Sequence, residues 1–85
     1  MNRHERICAI LSRELNPDYM ELEDNSFKHA GHAGASPHGE THYKLSIASA
    51  AFKGKSKVQS HQLIYSLLTD EFKAGLHALE IITKD

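Results

Sequence analysis

An α+β fold, with helices covering one face of a small three-stranded sheet, is predicted by three features of this 85-residue chain. Two segments, Tyr19 to Glu23 and Thr41 to Ala48, alternate apolar and polar residues, the period of a strand with one wet face. Two others repeat apolar residues at helical spacing: Ile7, Ile10, Leu11 and Leu15, and then Val58, Ile64, Tyr65 and Leu68. The second of these helices stands between the second strand and a third at His77 to Ile82. Because helical crossovers join parallel strands, the sheet is expected to be mixed, in the order α-β-β-α-β.

Composition narrows the class. One cysteine, Cys8, excludes a disulfide framework, so a cytoplasmic location is expected, or an organelle with reduced thiols. No stretch approaches the ~20 apolar residues of a membrane helix, and the first residues lack the apolar run of a secretion signal. The length suits a single domain over 1–85. A net charge of -1 argues against a strongly electrostatic nucleic-acid binder, since neutralised phosphates supply most non-specific affinity.

In chain order, Asn2 and Glu5 have capping-box spacing at the start of the first helix. Asn16-Pro17 ends it, because the residue before proline is driven out of the α region. In the first strand Met20 and Leu22 share one face and Glu21 and Glu23 the other. In the second, Tyr43, Leu45 and Ile47 oppose His42, Lys44 and Ser46. Ser49 to Lys53 is expected to form a single helical turn with Phe52 turned inward. Ser56 and Gln59 form a capping box for the second helix, which carries His61 on its apolar stripe. Thr69 is expected to cap a last turn that Gly75 stops, and His77, Leu79 and Ile81 then share a face of the third strand.

The segment between the first two strands holds His29, His32 and His38 among Gly31, Gly34, Pro37 and Gly39, with His42 at its exit. Glycine and proline at this density specify a loop. Imidazole is the commonest protein metal ligand, and glycines let the backbone carry a ring toward an ion. The His-x-x-His pair completes no closed zinc signature, however, so a solvated connection fits the pattern too. Connections this long in compact domains tend to be functional or disordered. His42, on the strand, reads as structural, and Cys8 as a small apolar residue beside the helix stripe. Gly54-Lys55-Ser56 has the look of a phosphate-binding loop, but the glycine that would shape the cradle is replaced by Ser49. Lys53, Lys55 and Lys57 form a modest basic patch that could meet phosphate.

The runs His29-Ala30-Gly31-His32-Ala33-Gly34, Gly39-Glu40-Thr41-His42-Tyr43, Phe52-Lys53-Gly54-Lys55-Ser56, His61-Gln62-Leu63-Ile64-Tyr65 and Gly75-Leu76-His77-Ala78-Leu79 together resemble the signature stretches of BolA-like proteins. The resemblance covers nearly the whole chain. It implies a fold similar to class II KH domains and a non-enzymatic role as partner of monothiol glutaredoxins in iron-sulfur cluster handling and iron regulation. In that partnership a [2Fe-2S] cluster is shared with a glutaredoxin cysteine and glutathione. The resemblance implies His77 as one ligand and a loop histidine as the other, His32 first and His29 next. The alternative it carries is a KH-like nucleic-acid-binding transcriptional regulator acting through Lys53, Lys55 and Lys57. Ser60 and Gln62 stand where many members carry arginine, which weakens that alternative, and a closing helix found in some relatives is not expected after Lys84-Asp85.

Overall fold

The computed structural model describes residues 1–26 and 41–84. Ile7, Leu11 and Leu15, spaced four apart, form the fully covered stripe of α1 (Arg3–Leu15). Asn2 caps it, its side-chain oxygen accepting the Glu5 N–H at 2.8 Å. The helix stops at Asn16, which takes the left-handed conformation (φ 42°, ψ 59°) and returns its N–H to the Ser12 carbonyl. Asparagine tolerates that region better than most residues, and Pro17 cannot extend the helix.

The sheet has the order β1 (Tyr19–Asp24), β2 (His42–Ala48), β3 (Ala78–Lys84). β1 and β2 are antiparallel, with Leu22 opposite Leu45, and β2 and β3 are parallel, with Tyr43 beside Leu79 and Leu45 beside Ile81. The expected mixed sheet is therefore present. One face, carrying Met20, Leu22, Tyr43, Leu45, Ile47, Leu79 and Ile81, joins Ile7, Leu11, Leu15, Ile64, Leu68 and Leu76 in a single apolar core. The parallel pairing forces a long crossover, which the chain supplies as a 3-10 turn (Ala50–Phe52), α2 (Lys57–Leu67) and α3 (Thr69–Lys73).

Ser56 and Gln59 form the expected capping box: Ser56 Oγ accepts the Gln59 N–H at 3.1 Å and Gln59 Oε1 accepts the Ser56 N–H at 2.8 Å. The stripe α2 buries differs from expectation, because Ser60, Ile64 and Leu68 set its centre. Val58 lies about 120° around the helix from Ile64 and is 64% exposed. Tyr65 is also more exposed than expected. Its ring packs on Phe72 at 5.4 Å and its hydroxyl donates to the Leu79 carbonyl at 2.9 Å, so it ties α2 to β3 from the rim. Thr69 does not cap α3; its hydroxyl donates back to the Ser66 carbonyl at 3.1 Å. Gly75 does end the turn, at φ 128°, a region costly for any residue with a Cβ.

α3 is held by charge. Glu71 is 6% exposed, and its carboxylate accepts from Arg6 Nε at 2.8 Å and Nη2 at 3.0 Å and from Arg3 Nε at 3.1 Å. Arg3 also donates to the Ala74 carbonyl at 3.0 Å, and a Cβ added to Gly75 would come within 3.2 Å of its Nη2. The clamp fastens the first turn of α1 to the turn that leads into β3. The bonds from Arg6, with those from Arg3, outweigh desolvation and hold the Glu71 pKa below the ordinary carboxylate range. A depressed carboxylate pKa contributes stability that is complete above its unfolded value, roughly 4.3 for glutamate, and is lost as pH falls through the lower folded value. Glu71→Gln should therefore unfold at lower urea than wild type at neutral pH, by about 1–2 kcal/mol, since the largely covered Arg3 and the partly exposed Arg6 both lose their acceptor charge, the second being screened by solvent. The gap should narrow as pH is lowered through 4 and below; a gap independent of pH would show that the carboxylate charge is not what the clamp uses.

Candidate metal centre

Ser26 and Thr41 stand at the two ends of the histidine-rich segment, and a buried polar network joins them. Ser26, 1% exposed, accepts through Oγ the N–H of Thr41 at 2.9 Å and of His42 at 3.1 Å, with the Thr41 hydroxyl at 3.3 Å. Its own N–H donates to the Asp24 carboxylate at 2.9 Å. β2 thus begins on a side chain of residue 26, which stands in for a ladder bond where β1 has ended. Buried amides need such partners, since an unmet one costs about 1–3 kcal/mol.

Thr41 also organises the start of β3. Its carbonyl accepts the N–H of His77 at 2.8 Å and of Ala78 at 3.0 Å, so the backbone of His77 is fixed against residue 41 although its side chain is exposed. His77 lies one residue before β3 rather than at its first position, because Ala78 opens the ladder opposite His42. The Thr41 hydroxyl is 2.9 Å from His42 Nδ1, and the His42 ring, 8% exposed, packs against that of His77 with centroids 5.2 Å apart. One backbone position therefore anchors the exit of the segment, a buried histidine and an exposed histidine.

His77 is thus placed where a ligand could be presented. His32 and His29 lie outside the described residues. Among the described residues no group of three or more histidine, cysteine or acidic side chains could hold a metal by itself. Cys8 is turned to other use: burial raises its thiol pKa, its sulfur lies 3.9 Å from His4 Nδ1, and His4 Nε2 meets the Leu22 carbonyl at 2.9 Å. A protonated thiol is a poor metal ligand. His61 is half-buried on α2, with Nε2 covered. Lys53, Lys55 and Lys57 are all exposed, about the Gly54 turn and the start of α2, whereas Ser60 is buried and Gln62 exposed. Among the described residues no helix is long and apolar enough to cross a membrane.

Sequence reasoning missed the part played by Ser26, Thr41 and His42 in framing this corner. The only local signal was the pair of small hydroxyl residues bounding the loop.

The chain belongs to the BolA-like protein family, whose model matches residues 1–85. It is 53% identical over 87 residues to the SufE-like protein 1, chloroplastic/mitochondrial, of Arabidopsis thaliana, covering 98% of this chain and 24% of that protein. The solved BolA domain of SufE1 from that plant superposes with a TM-score of 0.89 at 52% identity, over 99% of this chain and 92% of that one. Protein BOLA1, chloroplastic, of the same plant is 44% identical over 85 residues, covering 98% of this chain and 53% of that protein. The chain thus spans about a quarter and about half of these two relatives. A Haemophilus influenzae relative, 38% identical over 71 residues (84% of this chain, 65% of that protein), is named DNA-binding transcriptional regulator BolA.

Replacing Ser26 by alanine removes the shared acceptor of two buried amides. We expect a loss of about 2–4 kcal/mol in urea unfolding, together with faster hydrogen exchange at Thr41 and His42 and a displaced His77 amide resonance. Unchanged exchange at Thr41 would mean that water replaces the hydroxyl and that Ser26 does not set this corner.

Proposed function

We propose that this BolA-like chain is a non-enzymatic partner of monothiol glutaredoxins and shares with them a glutathione-supported [2Fe-2S] cluster in iron-sulfur trafficking and iron regulation. The observation that carries the reading is an exposed imidazole, His77, whose backbone is pinned to Thr41 at the exit of the histidine-rich segment. The donor set fits a shared cluster better than one owned by this chain. A [2Fe-2S] unit asks for four ligands, usually thiolates, while this chain has one cysteine, on α1. His77 would supply one ligand and His32, with His29 next, a second; the thiolates would come from glutaredoxin and glutathione.

The residues of this chain do three things in such a complex. Thr41 fixes where the His77 backbone stands, the Ser26 network holds the ends of the ligand-bearing segment together, and the Arg3–Arg6–Glu71 clamp steadies the turn before His77. The cluster, when bound, supplies electron transfer or is itself the cargo, and neutral histidine in place of thiolate raises its reduction potential. The expected compartment is one with reduced thiols, the cytosol on the sequence reading; the two plant relatives are named for plastids and mitochondria, which have reduced thiols too.

The test is to mix the protein with a monothiol glutaredoxin, iron, sulfide and glutathione and record visible absorption and circular dichroism. A spectrum distinct from that of glutaredoxin alone is expected, and none from the protein alone. His77→Ala should keep the far-ultraviolet spectrum, since an exposed residue contributes little core, and lose the distinct visible signal. His32→Ala should weaken that signal less, because His29 offers a second ring. A stable cluster on the isolated protein, or an unchanged signal from His77→Ala, would overturn the reading.

A second reading, a KH-like nucleic-acid-binding regulator, is favoured by the exposure of Lys53, Lys55 and Lys57 and by the name of the Haemophilus influenzae relative. With at most three clustered lysines and a net charge of -1, binding to random duplex should be weak at physiological salt and fade as salt rises, releasing no more than about three counterions. Tight, sequence-selective binding in a fluorescence assay at that salt, lost when the three lysines become alanine, would put this reading first.

A further inference from the structure

β3 is an outer strand of the sheet, with β2 on one side and, among the described residues, no strand on the other. In a parallel ladder alternate residues bond the neighbour through both backbone groups. The Ala78 N–H donates to Thr41, so Ala78, Glu80, Ile82 and Lys84 are committed to β2, and the N–H and C=O groups of Leu79, Ile81 and Thr83 point to the open edge. The Tyr65 hydroxyl takes the Leu79 carbonyl at 2.9 Å, which agrees with this phase; from Ile81 onward no described residue covers the edge. We propose that this edge pairs with the same edge of a second copy of the chain, antiparallel and centred on Ile82, so that two three-stranded sheets become one continuous sheet.

The residues of β3 are self-complementary in that register. With Ile82 opposite its own copy, Ile81 falls opposite Thr83; both carry outward backbone groups, so each Ile81–Thr83 pair closes two N–H···O=C bonds. Glu80 falls opposite Lys84, both exposed on the face that carries no helix, in a pair without backbone bonds, where facing side chains come closest. The contact is isologous, so this ion pair is made twice and flanks Ile82, which is 38% exposed in the single copy. Glu80 has no ion pair among the described residues. The Lys84 ammonium lies over the Tyr19 ring at 4.9 Å, an exposed contact that it would exchange for the carboxylate. β1, at the other side of the sheet, lacks this complementarity. Its outward groups belong to Met20, Leu22 and Asp24, because the Asn25 N–H bonds His42, and His4 Nε2 already meets the Leu22 carbonyl at 2.9 Å. Self-pairing of β1 about Leu22 would set Glu21 against Glu23, and about Glu21 would set that carboxylate against its own copy. Like charge is a device by which edge strands avoid pairing, and β3 does not use it.

The self-pairing does not depend on the cluster reading and is tested on the protein alone, without glutaredoxin, glutathione or metal. Sedimentation equilibrium at rising protein concentration should show a reversible dimer that grows no further, because an isologous contact closes on itself. Glu80→Lys and, separately, Lys84→Glu set like charges opposite each other at both ends and should each weaken the dimer about tenfold or more. Mixing the two variants should restore it as a heterodimer, since each supplies the charge that the other lacks. Thr83→Pro removes an outward N–H that β2 does not use, so the far-ultraviolet spectrum should persist while the dimer is lost. In wild type, hydrogen exchange at the Ile81 and Thr83 amides should slow as concentration rises, a readout that needs no variant to fold. A protein that stays monomeric into the millimolar range, a dimer indifferent to both charge variants, or mixed variants that remain monomeric would overturn the inference. A dimer that survives Thr83→Pro would overturn it as well, since the contact would then lie elsewhere.

Discussion

The carbonyl of Thr41, shared between the N–H groups of His77 and Ala78, starts the parallel pairing on which the rest of the molecule depends. A parallel pair cannot be closed by a tight turn, so this contact obliges the chain to travel from one end of β2 to the opposite end before β3 begins. The 3-10 turn, α2 and α3 are that journey, and each leaves apolar side chains on the same face of the sheet. The core is the result: Leu45 and Ile47 of the central strand are wholly covered, from above by α1 and α2 and from the sides by the neighbouring strands.

Two clusters of buried polar groups at the edges of this core serve different ends. The Arg3–Arg6–Glu71 clamp uses formal charge, and its strength follows the ionisation of one carboxylate. The Ser26–Thr41–His42 cluster uses mainly hydroxyls and amides, with the Asp24 carboxylate accepting the Ser26 N–H.

Much of this architecture was readable from residue pattern. Period-two alternation found β1 and β2 with the correct inward faces, Asn16-Pro17 marked the end of α1, and the Ser56–Gln59 box marked the start of α2. Periodicity failed where one turn offers several apolar residues: Val58 and Tyr65 look like core by composition, yet it is small Ser60, with Ile64, that α2 buries. The motif named His77 as a candidate, and the structure describes its exposed side chain and its backbone bond to Thr41. The role of Thr41 was not legible, because a backbone carbonyl has no sequence signature. The Glu71 clamp was equally hidden, since its partners are 65 and 68 residues away along the chain.

That separation has a consequence for the order in which the protein is made. When α1 leaves a ribosome, neither the carboxylate that restrains its first turn nor the strand that completes its apolar floor has yet been synthesised. β1 and β2 can pair early, but a two-stranded hairpin alone is at best marginally stable in water. The nascent chain therefore carries Ile7, Leu11 and Leu15 without a finished binding surface until β3 emerges, and the domain folds only once that strand is available.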